Sequence, residues 1–519
     1  MGTTGRQVVG AASGVAALAL LALTVGPSGE ADRAAAQAGT NVRPNIVLVM
    51  TDDQNVEQMA ALNQTRALIG GAGTTFANSF SSFPLCCPSR STMLTGQYPH
   101  NHRVLGNKPE ERGGYTKLYG GPRPNGRDAL PVWLRRAGYH TTHIGKYLNG
   151  YKRTLQPRQP NGWHNWQGSI DPTTYNFRDY CLNQNGNMVW YGKNNRCPKR
   201  LPSRFGGRIY QGELYTQKAQ AVIRRRAPLQ RPFYLSVAYL APHGGGPTRD
   251  RCKGYAKPAP GDVGKFNDAQ LPPKDSYDEE NVGPEPAHPK RRADKPSAIR
   301  NLPRLSNDAK GEILQRFRCR RESLLHVDRG VEAIVNELRA QGELDNTLIL
   351  FTSDNGFFQG EHRIPGGKIR HYEEGSRVPL LMRGPALGVP RGVFEKQVAN
   401  IDLAPTIIDA ANARGKVTRR LDGRSLLSAV RRPARFPQRD ILLEDGPALP
   451  KQYQYYRAIR TPRFKLVRYR NGERELYDLR RDPQELESLH RRPRYNKLQG
   501  RLGDKLNRLQ DCRGPRSCR

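Results

Sequence analysis

Four short apolar runs in this sequence each end on residues able to bind a cation or handle a proton. Asn45 to Thr51 (NIVLVMT) leads into Asp52-Asp53, and Tyr139 to Ile144 (YHTTHI) into Gly145-Lys146. Pro232 to Leu240 (PFYLSVAYL) leads into Ala241-Pro242-His243, and Asn346 to Ser353 (NTLILFTS) into Asp354-Asn355. Asp52, Asp53, Asp354 and Asn355 offer three carboxylates and one amide, with no His or Cys at ligand spacing. Such an oxygen-only set suits a hard cation, calcium or magnesium, rather than zinc. Each signal is weak alone: Asp-Asp also caps helices and turns, Asp-Asn-Gly also closes a loop, and a histidine after proline is more often structural. Their shared position after an apolar run sets them apart.

The segment Leu85 to Gly96 reads LCCPSRSTMLTG. Cys86 and Cys87 are adjacent and cannot easily bridge each other, so they need another explanation. A buried structural cysteine would not require Pro88 and Arg90 at those offsets.

The elements that must position these residues follow from the same runs. They have strand length and are continuously apolar, as strands of a parallel sheet covered on both faces are. Helical stretches such as Ser323 to Gln341 lie between them. Strands alternating with helices predict an α/β fold with a large, mainly parallel sheet, whose carboxyl strand ends are where ligands bind. Residues far apart in sequence then meet at one site. Asn185-Gly186 between two short apolar segments predicts a hairpin turn inside the Cys181 to Cys197 interval. Gly244 to Lys310 has no sustained period and reads as either a functional or a mobile loop. The large domain is expected to span 39–438. A smaller α+β subdomain over 439–519 has strand-like alternation from Tyr456 to Tyr469, a strand over Glu475 to Asp478, and a terminal helix from Leu486 to Leu509. No repeat of solenoid period is present.

The chain has 519 residues, with 84 Lys and Arg against 47 Asp and Glu, a net charge of +37. That balance favours a polyanionic partner or substrate, but the arginines are scattered and no zinc finger or RNP motif occurs, so nucleic acid is not the expected partner. Residues 1–38 carry Arg6, the apolar run Val8 to Val25 and an Ala36-Gln37-Ala38 cleavage pattern, and read as a secretory leader. The protein is therefore expected to be secreted or associated with the cell envelope, without stable membrane insertion after cleavage. Of the remaining six cysteines, Cys181 with Cys197 and Cys512 with Cys518 are the local pairs, leaving Cys252 with Cys319; sequence alone does not prove this connectivity.

Cys86-Cys87-Pro88-Ser89-Arg90 matches the C-x-P-S-R element of the sulfatases, and Thr95-Gly96 extends the match. From Pro44 onward the chain resembles the type I sulfatases of the alkaline phosphatase superfamily. CCPSR with YPHNH and GKYLNG looks most like the N-acetylglucosamine-6-sulfatase and arylsulfatase branch. The resemblance implies that a formylglycine-generating enzyme oxidises Cys86 to formylglycine (3-oxoalanine), whose hydrate is the nucleophile. Its second hydroxyl lets sulfate be expelled and the aldehyde regenerated, so one hard step becomes two easier ones. It further implies that Asp52, Asp53, Asp354, Asn355 and residue 86 hold one calcium, with magnesium the lesser candidate. Arg90 neutralises the oxygens of residue 86, Lys146 and Lys368 clamp the sulfate, and His243 contacts it or protonates the departing alcohol. The sequence departs from many arylsulfatases at one place: two residues after Lys146, where they carry a histidine, it has Leu148, followed by Asn149.

The implied activity is hydrolysis of sulfate monoesters, of a sulfated amino sugar or glycosaminoglycan, with aryl sulfates also turned over. Two readings compete. One is a phosphodiesterase or phosphonate monoester hydrolase on the same fold. The other is an inactive polyanion-binding protein, whose mark would be loss of Cys86 or a metal aspartate; all are present. The motifs do not fix the natural substrate, endo or exo action, or oligomeric state.

Overall fold

The structure, a computed structural model, describes Met1 and residues 43–120, 125–151, 159–197, 203–246, 250–282, 294–450 and 455–518; the apolar run and cleavage pattern of the expected leader fall outside them. Among the described residues no helix is long and apolar enough to cross a membrane.

An 11-stranded sheet organises the large region. Its centre is five neighbouring parallel strands, in spatial order Thr347–Ser353, Asn45–Thr51, Phe233–Ala238, His140–Gly145 and Asn165–Ser169. Antiparallel neighbours adjoin this centre: Leu380–Arg383 at one side, and the Tyr180–Gln184 and Asn187–Tyr191 hairpin at the other. Every residue of Asn45–Thr51 and Thr347–Ser353 is buried. Ile46, Leu48 and Met50 join Leu348 and Leu350 in one apolar cluster, while Val47 and Val49 join Ile349 and Phe351 in a second. The two faces of the strands thus feed two cores, which is why the runs read as continuously apolar.

Helices cover both faces. Cys86–Thr95, Leu130–Arg136, Leu403–Ala410 and Leu426–Arg431 contribute Met93, Trp133, Ile407 and Leu427 to the first core. Gln211–Arg226 and the 34-residue helix Asn307–Ala340 contribute Val222, Leu324, Val331 and Leu338 to the second. The long helix begins well before the expected Ser323, because Ser306 caps it by accepting from the amide of Ala309. Two described residues of the segment before it are tied to the helix: Cys252 bonds to Cys319, and buried Asp262 receives both guanidinium nitrogens of Arg329 at 2.8 and 2.7 Å.

Toward the C-terminus, Ile441–Glu444, Tyr456–Arg460, Phe464–Tyr469 and Arg474–Asp478 form an antiparallel sheet covered by the helix Asn496–Leu509. Two expectations are corrected here. The alternating run Tyr456 to Tyr469 is a hairpin of two strands, turning at Thr461-Pro462-Arg463. The terminal helix starts at Asn496 rather than Leu486, because Pro493 forces Arg492 into extended backbone (φ −86°, ψ 117°) and cannot sit inside a helix. The Asn185-Gly186 turn has positive φ at both residues, 53° and 98°, as a tight hairpin requires. Cys181–Cys197, Cys252–Cys319 and Cys512–Cys518 are bonded, and Cys86 and Cys87 are free.

At Gly145, the end of one central strand, φ is +101°, and a Cβ there would lie 2.1 Å from the carbonyl oxygen of Ala238. That carbonyl accepts from the amide of Lys146 at 3.0 Å, so the glycine lets the strand end close down and aim Lys146. Gly145→Ala is expected to cost ~2–4 kcal/mol through clash and strained backbone, read as a lowered denaturation midpoint.

Candidate active site

The register of the central strands builds the site. Thr51 lies opposite Ser353, so Asp52-Asp53 and Asp354-Asn355 leave the sheet side by side. The amide of Asp53 donates to Asp354 Oδ1 at 3.1 Å, and Asn355 Nδ2 donates to Asp53 Oδ1 at 2.7 Å. Asp53 takes a left-handed conformation, φ 66°, which turns its side chain back over the strand ends. Two of the three other central strands, Phe233–Ala238 and His140–Gly145, deliver His243 and Lys146 to the same edge.

Helix Cys86–Thr95 begins at the site, with Cys86 only 1% exposed. Cys86 Sγ lies 3.4 Å from Asp52 Oδ1, 3.5 Å from Lys146 Nζ and 2.8 Å from Lys368 Nζ. The ammonium of Lys146 also pairs with Asp52, and that of Lys368 with Asp53. Arg90 donates from Nε to Asp354 Oδ2 at 2.7 Å and from Nη1 to the Lys146 carbonyl at 2.7 Å, and its Nη2 lies 3.5 Å from Asp52 Oδ2. His243 Nδ1 donates to the carbonyl of Gly244 at 2.6 Å, which leaves Nε2 facing Asp53 Oδ2 at 3.6 Å. All nine residues singled out from the sequence therefore meet at one place.

Burial by itself would raise the carboxyl groups of Asp52 and Asp53. The cations outweigh it, Lys146 chiefly at Asp52 and Lys368 chiefly at Asp53, and hold each at about 2. Burial, reinforced by the charge of Asp52, pushes the Cys86 thiol up to about 12. An unmodified Cys86 is thus a neutral thiol and a poor nucleophile. Burial also lowers His243, against the pull of the two aspartates.

The donors suit a divalent cation. Ligand atoms of Asp52, Asp53, Cys86 and His243 lie within 4.8 Å of one another. Among the described residues, the buried Oδ1 of Asn355 has no hydrogen-bond partner, an orphan that a cation would satisfy. Asp354 is more committed: Oδ1 accepts from the amides of Asp53 and Asn355, while Oδ2 accepts from Arg90 and keeps room for one further partner.

Other residues resolve the open points. Leu148 is buried in the core, and Asn149 donates to the Tyr175 hydroxyl at 2.7 Å. The Tyr175 ring sits 5.0 Å from Lys146 Nζ and 5.0 Å from the His243 ring. An Asn149–Tyr175 pair therefore stands beside Lys146 and His243. His100 engages Glu444, His102 engages Thr92 and His362 engages Glu279. Sequence reasoning missed Tyr175 and Arg320. Arg320 is 1% exposed, donates to the carbonyls of Pro242 (2.9 Å) and Asp53 and to Gln58 Oε1 (3.0 Å), and lies 4.3 Å over the Phe357 ring. It ties the Asp53 turn to the His243 turn. Its signal was position: Ile313, Phe317, Arg320, Leu324, Val327 and Val331 form one helical stripe.

Residues 44–413 match the sulfatase family, and residues 360–512 match the C-terminal region of N-sulphoglucosamine sulphohydrolase. An arylsulfatase of Volvox carteri is 30% identical over 91% of this chain and 74% of its own length. The N-acetylglucosamine-6-sulfatase of Homo sapiens is 34% identical over 78% of this chain and 68% of its own. A protein solved in complex with its substrate, D-glucosamine-2-N,6-O-disulfate, shares the fold with a TM-score of 0.70 at 24% identity, over 90% of this chain and 97% of that one.

Arg320→Met preserves bulk but strands three buried acceptors. It is expected to cost about 2–4 kcal/mol in chemical denaturation, with Arg320→Lys, which reaches fewer of the three, falling between.

Proposed function

The chain belongs to the sulfatase family and is a sulfuric ester hydrolase, and from that premise we propose that it is a secreted, formylglycine-dependent enzyme acting on a sulfated amino sugar or glycosaminoglycan. The observation that carries the mechanism is Cys86, set at a helix start among three carboxylates and four cationic or imidazole side chains. Asp52, Asp53, Asp354 and Asn355, with residue 86, would hold calcium. A cation held by these residues would supply Lewis-acid polarisation of a sulfate ester and lower the pKa of a nearby hydroxyl. Residue 86, once oxidised to formylglycine and hydrated, supplies that hydroxyl.

The chain's own groups do the rest. Lys146 and Lys368 carry two positive charges to the position a sulfate would take beside residue 86, where they balance its oxygens. Arg90 fixes Asp52 and Asp354 and adds charge at the helix start. The Gly244 carbonyl holds the His243 ring through Nδ1 with Nε2 facing Asp53, and the imidazolium form would present an Nε2 proton to the departing alcohol oxygen. The name of the human relative supports the amino-sugar substrate, and the leader-like sequence pattern in residues 1–38, with the extracellular sulfatases among the relatives, supports export. We also retain the proposed boundary between the regions 39–438 and 439–519.

Sulfate release from p-nitrophenyl sulfate is expected to be abolished by chelator, restored by added calcium, and reduced at least ~10³-fold in Cys86→Ala. Chelator-insensitive release would contradict the cation's role. His243→Ala is expected to slow a sugar sulfate by about 10²-fold or more but p-nitrophenyl sulfate much less, since nitrophenolate leaves without a proton. Equal losses on both would remove His243 as the acid.

A further inference from the structure

A cleft of about 640 Å³ opens beside the site and includes Tyr175, Phe177, Arg178, Arg196, Arg208 and Gly245 in its lining. Its size is that of a ligand site rather than a surface crease. Tyr175 belongs to both places: the ring that packs near Lys146 and His243 is also a wall of the cleft. Gly245 follows two residues after His243, and a Cβ there would come within 3.2 Å of the Tyr175 carbonyl, so the chain after His243 lies close against this wall.

The charge of the cleft is one-sided. Five cationic side chains line it against two acidic ones, Asp179 and Glu213. Lys257 already pairs with Asp250, but among the described residues Arg178, Lys193, Arg196 and Arg208 form no ion pair. Asp179 does not neutralise them, since its Oδ1 accepts from the backbone amides of Lys193 and Asn194. That contact shapes the rim: Asp179 sits at φ 57°, Gly192 at φ 129°, and the Cys181–Cys197 bond closes the segment that carries Lys193 and Arg196. Unpaired cations held in a concavity concentrate potential in a way that charges scattered on a convex surface do not. Phe177 stacks on Tyr210 at 5.9 Å, so the same cleft offers aromatic surface beside the cations.

We propose that this cleft is a subsite for a second anionic group, a sulfate or carboxylate, on a sugar neighbouring the one whose sulfate ester lies at residue 86. The inference rests on the sulfate-ester reading of the Cys86 site. It makes the enzyme selective for multiply charged oligosaccharides over isolated sulfate esters.

The test is the triple variant Arg178→Ala, Arg196→Ala, Arg208→Ala, assayed on a heparin-derived tetrasaccharide and on p-nitrophenyl sulfate over a salt series. KM for the tetrasaccharide is expected to rise roughly tenfold with kcat little changed and with a shallower salt dependence, while p-nitrophenyl sulfate is unaffected. The triple Arg→Lys variant is expected to recover most of the loss. Replacing N-sulfated by N-acetylated tetrasaccharide, and then removing its O-sulfates, assigns the group: a penalty that vanishes at either step identifies a sulfate, one that persists through both a carboxylate. An unchanged KM for the tetrasaccharide, or an equal rise on both substrates, would overturn the subsite. If the wild-type protein releases no sulfate from any ester, the functional reading fails separately. The subsite is then judged by direct calorimetric binding of the tetrasaccharide, which must weaken in the triple variant.

Discussion

Three carboxylates, those of Asp52, Asp53 and Asp354, are buried side by side, and the surrounding structure is arranged to make that tolerable. Buried anions this close repel one another and lose their hydration, so they persist only where cations and donors compensate them. Arg90 reaches two of them, Lys146 and Lys368 take one each, and the amides of Asp53 and Asn355 donate to Asp354. The groups that neutralise the carboxylates are also those that a sulfate and a divalent cation would engage, so stability and chemistry draw on the same contacts. In this structure both lysines lie on the carboxylates. With a cation on those oxygens, the ammonium groups would be free to face an anionic substrate.

Holding this cluster falls to rigid parts. The parallel register of Asn45–Thr51 with Thr347–Ser353 sets two acidic turns adjacent, and Gly145 lets the Lys146 strand end approach Ala238. Arg320, from the far helix layer, ties the Asp53 turn to Pro242, and the neighbouring Cys319 anchors the segment after His243 through Cys252. A site assembled from four strand ends and one helix start is preorganised by the sheet itself, which is what electrostatic catalysis requires.

Much of this was legible in the residues. Apolar runs that stop abruptly at Asp, Lys or His mark strand ends at a binding edge, and the CCPSR spacing marks the helix start; the eight residues so chosen converge, and Lys368, assigned through the family resemblance, joins them. What was less legible has physical causes. The first half of the long helix is masked by Gly311 and a high density of charge, so only its later apolar stripe was visible. Pro493 set the start of the terminal helix, and Thr461-Pro462-Arg463 folded one apparent strand into two. Arg320 was hidden among many arginines, and only its place in the apolar stripe of the long helix set it apart. Tyr175 lies on a short turn whose neighbours, Thr173-Thr174 and Asn176, give no local hint of the ring's contact with Lys146.

The central claim is that residue 86 acts as formylglycine rather than as a thiol, and mass spectrometry of the peptide spanning residues 80–90, from protein secreted by its own source, tests it most directly. The account predicts a peptide lighter than the unmodified one by the replacement of the Cys86 CH₂–SH group with an aldehyde, with Cys87 unchanged. An intact thiol at Cys86 in protein that still releases sulfate would contradict it.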